Sequence, residues 1–178
     1  MVLLDFFKTA LNLKSIPRQG WIDKLSIDRP ESVADHSYSM AIMAMVISDL
    51  ENYDSEKIIK MVLLHDLAES KIGDFTPEQI SKKEKEKIES NAFDEIIEQL
   101  PSSIKLEYAK IWKEYQDRIS PESLIVHQID RLEMALQAKT YQKSGSSKEN
   151  IATFLETAKS GITHPKIKEL FTKIIEDN

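Results

Sequence analysis

The sequence predicts an all-α fold, because apolar residues recur at helical spacing along nearly the whole chain of 178 residues. The alternation of apolar and polar residues that is typical of half-buried strands is scarce. Helix-start signals also recur, in the form of serine followed three residues later by an acid. We therefore expect roughly seven to nine helices. They are predicted to form one domain over residues 1–178.

The first part of the chain contains two predicted helices separated by an irregular stretch. Apolar spacing predicts a helix over residues 3–13, which ends before Pro17 because the residue before a proline disfavours helical backbone. Residues 18–30 show no clear helical period and are predicted to be irregular. Ser32 and Asp35 form a capping box, and the helix that they open continues to about residue 50.

The middle of the chain contains two predicted helices and the loop between them. Asp54 or Ser55 caps a helix that continues to about residue 71. Glycine and proline mark a loop over residues 73–77. Ser81 and Glu84 open the next helix, which extends to residue 100. We interpret the charged first half of this helix as a solvated face.

The last third of the chain is predicted to be helical throughout. Pro101 interrupts the chain, and apolar spacing predicts a helix over residues 103–118. Ser120 and Pro121 open a longer helix to about residue 143, because serine caps helices and proline suits the first helical position. Two shorter helices are predicted over residues 148–158 and 165–176.

Composition excludes several classes of function. The chain has no cysteine, so disulfides and thiolate metal sites are excluded, and the cytoplasm is the expected compartment. The longest apolar run, residues 40–47, is far shorter than the roughly 18 residues of a membrane span, so no membrane association is expected. The net charge of -6 disfavours nucleic-acid polymers as partners but leaves a small phosphorylated molecule possible. Only four glycines occur, which excludes the glycine-rich loops that bind ATP or NAD.

A candidate metal site is indicated by four histidine and aspartate residues. His65 and Asp66 are adjacent in a strongly apolar helix, where neighbouring positions about 100° apart can both lean toward one ion. His36 is expected on a helix that packs against this one, and Asp130 lies in an apolar helix interior that we expect to be largely buried. A buried carboxylate costs several kcal/mol unless a cation compensates it, and a metal ion would do so.

The order of histidine, then histidine-aspartate, then a distant aspartate on three helices resembles the HD-domain superfamily. Further motifs resemble the HD-domain 5'-deoxynucleotidases over about residues 5–170. These motifs are Ile16-Pro17-Arg18-Gln19-Gly20-Trp21, Arg29-Pro30-Glu31-Ser32-Val33-Ala34-Asp35-His36-Ser37, His65-Asp66-Leu67-Ala68-Glu69, Gly73-Asp74 and Gln128-Ile129-Asp130. The resemblance implies a single HD-domain helical bundle with the metal site between helices, and a homodimer. It also implies a metal-dependent phosphoric monoester hydrolase that releases deoxynucleoside and phosphate from deoxyribonucleoside 5'-monophosphates.

The resemblance further implies that His36, His65, Asp66 and Asp130 bind one divalent cation. Two imidazoles and two carboxylates without a thiolate suit Mn²⁺, Co²⁺, Fe²⁺, Ni²⁺ or Zn²⁺, and Mg²⁺ is a further candidate. Such an ion polarises a phosphoryl group and can bring the pKa of a bound water to about 7. Water would then attack phosphorus in line with the leaving 5'-oxygen.

Four further residues are candidates for catalysis and substrate binding. Arg18 is the fixed cation expected to bind the phosphate and neutralise charge that develops on it. Glu69, four residues beyond His65, is expected to take a proton from water or deliver one to the leaving oxygen. The alternatives for Glu69 are a partner that orients His65 or an ordinary solvated glutamate.

Two residues are expected beside the sugar. The resemblance implies that Asp74 contributes to sugar recognition, and the alternative is a plain turn residue. Trp21 is predicted to restrict the space beside the 2'-carbon, and the alternative is an aromatic side chain that caps the core. In some bacterial members the tryptophan directly follows the arginine, whereas Gln19 and Gly20 intervene here.

Several other residues have simpler interpretations. Asp130, instead of binding metal, can pair with Arg131 or His127 or point to water. His127 is expected to be structural, His164 to be a capping or surface residue, and Asp35 to be a helix-start acid. The methionines at helical spacing are predicted to fill the core, namely Met40, Met43, Met45, Met61 and Met134. Three aromatic residues are assigned either to the core or to a partner surface, namely Tyr108, Trp112 and Tyr115.

Two other functions compete with the leading hypothesis. The first is an HD-domain phosphohydrolase that acts on another phosphate ester, such as a nucleoside polyphosphate or a cyclic nucleotide. The second is a non-catalytic, metal-containing protein that senses nucleotides. Arg18 and Glu69 argue against the second function, because a structural metal site does not require them.

Overall fold

The computed structural model describes residues 2–177, which form ten α-helices and one 3-10 turn, Leu13–Ser15. The helices are α1 Val2–Asn12, α2 Gln19–Leu25, α3 Val33–Glu51, α4 Ser55–Leu64, α5 Glu69–Ile72, α6 Lys82–Ile97, α7 Ser102–Asp117, α8 Pro121–Lys143, α9 Lys148–Gly161 and α10 Pro165–Glu176. Extended pairing within the described range is limited to one isolated bridge between Pro17 and Ser32. The predicted all-α fold is therefore confirmed.

The core lies where α3, α4 and α8 pack against one another, and α8 packs in turn along α9 and α10. Fully buried side chains recur every three or four residues on the facing sides of these helices, the spacing that forms one apolar stripe. They include Met40, Ala44, Ile58, Val62, Ile125 and Ile129. This packing fixes the relative positions of α3, α8 and the end of α4, where the candidate site lies. None of the helices in residues 2–177 combines the length and apolar character required to cross a membrane.

The helix starts read from the sequence are present. The Ser32 side chain accepts a hydrogen bond from the backbone N–H of Asp35, and the Asp35 carboxylate accepts one from the backbone N–H of Ser32. Asp35 is thus a helix-start acid, as expected. Ser120 caps α8, with Pro121 at the first helical position, and Asp54 caps α4. Each cap satisfies a backbone donor that the helix itself leaves unpaired.

Two predictions of secondary structure are wrong. Part of the stretch predicted to be irregular forms α2, whose Trp21 side chain is buried against Phe154 of α9. The helix predicted over residues 54–71 is interrupted, because α4 ends at Leu64 and α5 begins only at Glu69. Between them the backbone N–H of Leu67 donates to the carbonyl of Leu64, a tighter turn than an α-helix.

The predicted core residues are confirmed with one exception. Met40 and Met61 are fully buried, and Met43 and Met134 pack against the core. Met45 is 41% exposed, so its assignment to the core is wrong. The aromatic residues Trp112 and Tyr115 are buried and Tyr108 packs on the same cluster, which favours core packing within the chain.

Candidate metal centre

Three separate elements carry the four predicted metal ligands. His36 lies in the first turn of α3, directly after the capping box, and Asp130 lies in the middle of α8. His65 and Asp66 lie in the turn that separates α4 from α5. The prediction that Asp130 is largely buried is wrong, because its side chain is 32% exposed. Its helix neighbours Ile129 and Leu132 are buried. Its carboxylate instead faces a cleft.

The structure brings these four side chains together. The Nε2 atom of His65 lies 3.0 Å from Oδ2 of Asp66, and the Nε2 atom of His36 lies 3.9 Å from the same oxygen. Ligand atoms of these three residues all lie within 4.8 Å of one another. Asp130 joins the group through His36, since its Oδ1 lies 3.4 Å from the His36 Nε2 atom. Side chains from all three elements therefore lie side by side, with Asp130 next to His36 and outside the group of three.

The hydrogen bonds of the two histidines fit a metal ion. The Nδ1 atom of His36 lies 2.7 Å from Oε2 of Glu133, and the Nδ1 atom of His65 lies 2.6 Å from the carbonyl oxygen of Val62. Nδ1 is the donor in both cases if each ring is neutral, which leaves the lone pair on Nε2. Both Nε2 atoms are buried, and within the described part of the chain neither has a hydrogen-bond partner. Two unpartnered imidazole nitrogens beside two carboxylates form a suitable donor set for a divalent cation.

The metal-free centre has strongly perturbed pKa values. Burial and the charge of Arg18 disfavour a proton on His36, but the nearby carboxylates of Asp130 and Glu133 outweigh them and raise the pKa of His36 to about 10. Partial burial also acts against ionisation of Asp130, yet the neighbouring His36 lowers the pKa of Asp130 to about 2. The pKa of Asp66 is lowered against burial by His65 and Arg18. The carboxylates are thus ionised at neutral pH, as metal binding requires, and a bound metal ion would displace the proton of His36.

Arg18 is held at the edge of this centre. Its guanidinium Nη1 atom lies 3.6 Å from Oδ2 of Asp66, and its backbone N–H donates to the carbonyl of Glu31. Burial disfavours the charge, but Asp74 and Asp66 outweigh this and raise the pKa of Arg18. A fixed, permanently charged guanidinium therefore stands beside the predicted metal ligands.

Glu69 is buried at the same place, with only 2% of its surface exposed. The alternative of a solvated glutamate is therefore wrong. His65 bonds to the Val62 carbonyl and not to Glu69, so the structure gives no support to a role for Glu69 in orienting His65. Its Oε1 atom lies 3.3 Å from Nζ of Lys85, while its Oε2 atom has no partner among the described residues. Burial, Asp66 and Asp74 raise the pKa of Glu69 well above its usual value.

Asp74 and Trp21 lie on one side of Arg18. The Oδ2 atom of Asp74 accepts a hydrogen bond of 2.9 Å from the backbone N–H of Gln19. Trp21 is a core side chain, and its indole N–H donates to Oε1 of Glu31 at 2.8 Å. Arg18, Trp21 and Asp74 nevertheless line one cavity of about 220 Å³. The three residues predicted to bind the substrate therefore line the same cavity.

A neighbouring cavity of about 270 Å³ opens onto the metal ligands. It is lined by Arg18, His65, Asp66, Glu69 and Asp130, and also by Arg118 and by lysine and glutamate side chains of α6. His127 also lines it, but its Nε2 atom lies 2.9 Å from the carbonyl oxygen of Tyr115, and its ring stacks on that of Tyr115. Burial lowers the pKa of His127 to about 4. His127 is thus held as a neutral packing residue, in agreement with its structural assignment.

The remaining histidine, His164, lies at the start of α10, where it makes no capping hydrogen bond. Its Nε2 atom lies 3.7 Å from a carboxylate oxygen of Glu51, far along the chain from the predicted ligands. The capping role predicted for His164 is therefore wrong, and its side chain is only 18% exposed.

Two residues of the site were not found from the sequence. Glu133, which bonds His36, lies three residues after Asp130 on α8, and this helical spacing was an available signal. Lys85, which bonds Glu69, lies in the charged start of α6 that was interpreted as a solvated face. That interpretation is wrong for Lys85, because charge density alone does not reveal which lysine turns inward.

A family model, curated proteins and solved structures all match nearly the full length of this chain. The model of a family described as HD domain matches residues 10–171. The chain is 39% identical over 185 residues to the 5'-deoxynucleotidase HDDC2 of Dictyostelium discoideum, covering 98% of this chain and 97% of that protein. It is 36% identical over 173 residues to the 5'-deoxynucleotidase HDDC2 of Homo sapiens, covering 97% and 84%. A crystal structure of a Pyrococcus horikoshii OT3 protein matches with a TM-score of 0.79 and 31% identity, covering 96% and 97%.

Proposed function

This chain belongs to the HD domain family, and we propose that it hydrolyses deoxyribonucleoside 5'-monophosphates at a centre formed by His36, His65, Asp66 and Asp130. Family membership makes it a metal-dependent phosphohydrolase, and its relatives over nearly the full length are named 5'-deoxynucleotidases. The products are a deoxynucleoside and phosphate. The observation that carries the proposal is the convergence of two unpartnered imidazole nitrogens on two carboxylates at the wall of an open cleft.

The four ligands are proposed to hold one divalent ion, chosen from Mn²⁺, Co²⁺, Fe²⁺, Ni²⁺, Zn²⁺ and Mg²⁺. When bound, such an ion polarises a phosphoryl oxygen and makes water a better nucleophile at neutral pH. Glu133 and the Val62 carbonyl orient the two imidazoles through their Nδ1 atoms. This arrangement supports the proposal because a structural role in the core would not leave both Nε2 atoms without partners.

Arg18 and Glu69 are the proposed catalytic residues. Arg18 would bind the phosphate and neutralise the charge that develops on it, since its guanidinium stands 3.6 Å from Asp66 at the cavity wall. Glu69 would move a proton, either from the attacking water or to the leaving 5'-oxygen. Its buried carboxyl group with one unpartnered oxygen supports this role.

Asp74 and Trp21 are proposed to act on the sugar side of the substrate. Both line the cavity that also contains Arg18, so a nucleotide whose phosphate is bound by Arg18 can place its sugar beside them. Trp21 would act as a fixed wall, since hydrogen bonding to Glu31 and packing on Phe154 hold its ring in place. The proposed result is a preference for substrates without a 2'-hydroxyl group.

We also propose that two copies of the chain form a homodimer. An apolar groove of about 420 Å³ runs between α1, α3 and α4, and large apolar side chains beside it are exposed. They include Tyr38 and Leu63, which line the groove. A patch of this kind is typical of a protein interface. The experiment is a mass measurement in solution: Leu63→Glu should convert a dimer into a monomer, and a wild-type monomer would refute the proposal.

The cytoplasmic location and the single domain over residues 1–178 stay predictions. The family match over residues 10–171 supports one domain, because it leaves little of the chain outside it.

The enzymatic proposal is tested with a panel of phosphate esters and the Asp130→Ala variant. We expect phosphate release from deoxyribonucleoside 5'-monophosphates, and loss of both metal and activity in Asp130→Ala. Activity confined to cyclic nucleotides or nucleoside polyphosphates would replace the proposed substrate class with another. Metal binding without hydrolysis of any ester would favour a nucleotide-sensing protein.

A further inference from the structure

Glu31 binds three different residues through three different groups. Its side-chain Oε1 atom accepts a hydrogen bond of 2.8 Å from the indole N–H of Trp21. Its backbone carbonyl accepts one of 3.0 Å from the backbone N–H of Arg18. Its backbone N–H donates one of 2.8 Å to the hydroxyl group of Tyr141 on α8. The short segment before α3 is therefore bonded to two of the proposed substrate-binding residues and to α8.

These bonds also place Arg18 close to the metal centre. The bond from Arg18 accompanies an isolated pairing of two extended segments, in which the backbone N–H of Val33 donates to the carbonyl of Ile16 at 2.9 Å. Val33 is the first residue of α3, and His36 lies in the same first turn. The proposed phosphate-binding cation and a proposed metal ligand are thus joined through a few residues of backbone.

The orientation of the Trp21 ring depends on Glu31. The ring packs between Phe154, whose ring centroid is 4.3 Å away, and Tyr141, whose ring centroid is 5.2 Å away. Hydrophobic packing is not directional, whereas a hydrogen bond prefers one geometry. The indole N–H is the one polar group of this buried side chain, and a buried donor without an acceptor is costly. Glu31 therefore favours one position of the ring over the others that packing allows.

We propose that Glu31 is a positioning residue that selects the sugar of the substrate through Trp21. The inference rests on the proposed function, in which Trp21 is a fixed wall beside the 2'-carbon. Within the described part of the chain, the side chains that line this cavity do not include Glu31, so it acts through Trp21 and not on the substrate. Loss of its acceptor oxygen lets the ring move, and the space beside the 2'-carbon then admits a hydroxyl group.

The test compares kcat/KM for dAMP and AMP in the metal-loaded protein. Glu31→Leu removes the acceptor and should lower the ratio of the two values about 10-fold. Glu31→Gln keeps an acceptor oxygen and should retain most of the ratio. Asp28→Leu, at an exposed position of the same segment, is the control and should match the wild type. A wild-type ratio in Glu31→Leu would overturn the inference.

An effect through the metal centre has to be separated from an effect through Trp21. The Glu31 carboxylate and ligand atoms of His36 and Glu133 lie within 4.8 Å of one another. The ratio is measured because a lower metal content reduces both activities together. In a Trp21→Phe protein the hydrogen bond is already absent, so adding Glu31→Leu should lower the ratio little further. An equal loss in both backgrounds would contradict a role through Trp21.

Fluorescence in a Trp112→Phe background reports on Trp21 without any substrate, because the chain has two tryptophans. Trp21 is 2% exposed, so acrylamide should quench it weakly, and more strongly once Glu31→Leu is added. Glu31→Ala replaces Glu31→Leu if the latter does not fold. Unchanged quenching, or a wild-type protein that hydrolyses dAMP and AMP equally, would overturn the inference. A wild-type protein inactive on both nucleotides would instead refute the proposed function, so the two failures are distinguishable.

Discussion

Each imidazole of the candidate metal centre forms a hydrogen bond through Nδ1, and its Nε2 atom has no hydrogen-bond partner among the described residues. Glu133 accepts from Nδ1 of His36, and the Val62 carbonyl accepts from Nδ1 of His65. These bonds fix the orientation of both rings before any ion arrives. The sequence identified the two histidines, but which nitrogen stays without a partner follows from the bonds to Glu133, far along the chain, and to Val62, one turn before His65.

Replacing the partner of His36 should weaken metal binding. Glu133→Gln keeps the size of the side chain but removes the negative charge beside Nδ1 of His36, so metal affinity should fall about 10- to 100-fold. Titration calorimetry on metal-stripped protein measures this. Glu149→Gln, on the exposed surface of α9, is the matched control. Unchanged affinity in Glu133→Gln would mean that the bond does not support the ligand.

Burial of His127 should make stability depend on pH. Its pKa is lowered to about 4 in the folded protein, so unfolding allows it to bind a proton below its unfolded pKa of about 6.5. The stabilising contribution is present above that pH and is lost as the pH falls toward 4. His127→Gln should therefore show a weaker decrease in urea midpoint between pH 7 and pH 4 than the wild type. Parallel curves for the two proteins would contradict this assignment.

At the scale of helices, the break between α4 and α5 was not predictable from local sequence. Residues 64–69 contain neither proline nor glycine, and their apolar spacing fits a continuous helix. The side-chain bond of His65 to the Val62 carbonyl and the tight turn at Leu67 accompany the break instead. Similarly, α2 has no helical period of its own, and burial of Trp21 stabilises it. A tertiary contact thus stabilises α2, whereas the bonds at the break between α4 and α5 are local ones that apolar spacing does not reveal.

The start of α3 was predictable, and its cap should contribute to stability. Ser32→Ala removes the acceptor for the Asp35 backbone N–H and should lower the free energy of unfolding by about 1 kcal/mol. Urea denaturation of metal-stripped protein measures the loss. Ser32→Thr preserves the hydroxyl group and is expected to stay close to wild type. If Ala and Thr have equal stability, the cap does not hold the first turn that carries His36.

For the whole molecule, helix patterning predicted the all-α fold and most helices, since one apolar stripe per helix is enough to specify a buried core. The motif order predicted the four side chains that the structure gathers. The surrounding charges were less predictable. Lys85 reaches the site through tertiary packing that no local pattern encodes, whereas the helical spacing of Glu133 from Asp130 was an available signal. Sequence therefore indicated which residues meet, and the fold determined how each is held.

Phosphate release from dAMP and AMP by metal-stripped protein tests the central claim most directly, with Mn²⁺, Co²⁺, Zn²⁺ or Mg²⁺ added back one at a time. The account predicts no release without metal and turnover of dAMP well above AMP once a suitable ion is restored. Equal turnover of the two substrates would contradict the proposed roles of Trp21 and Asp74. Absence of release with every metal would contradict the assignment of this centre to phosphate ester hydrolysis.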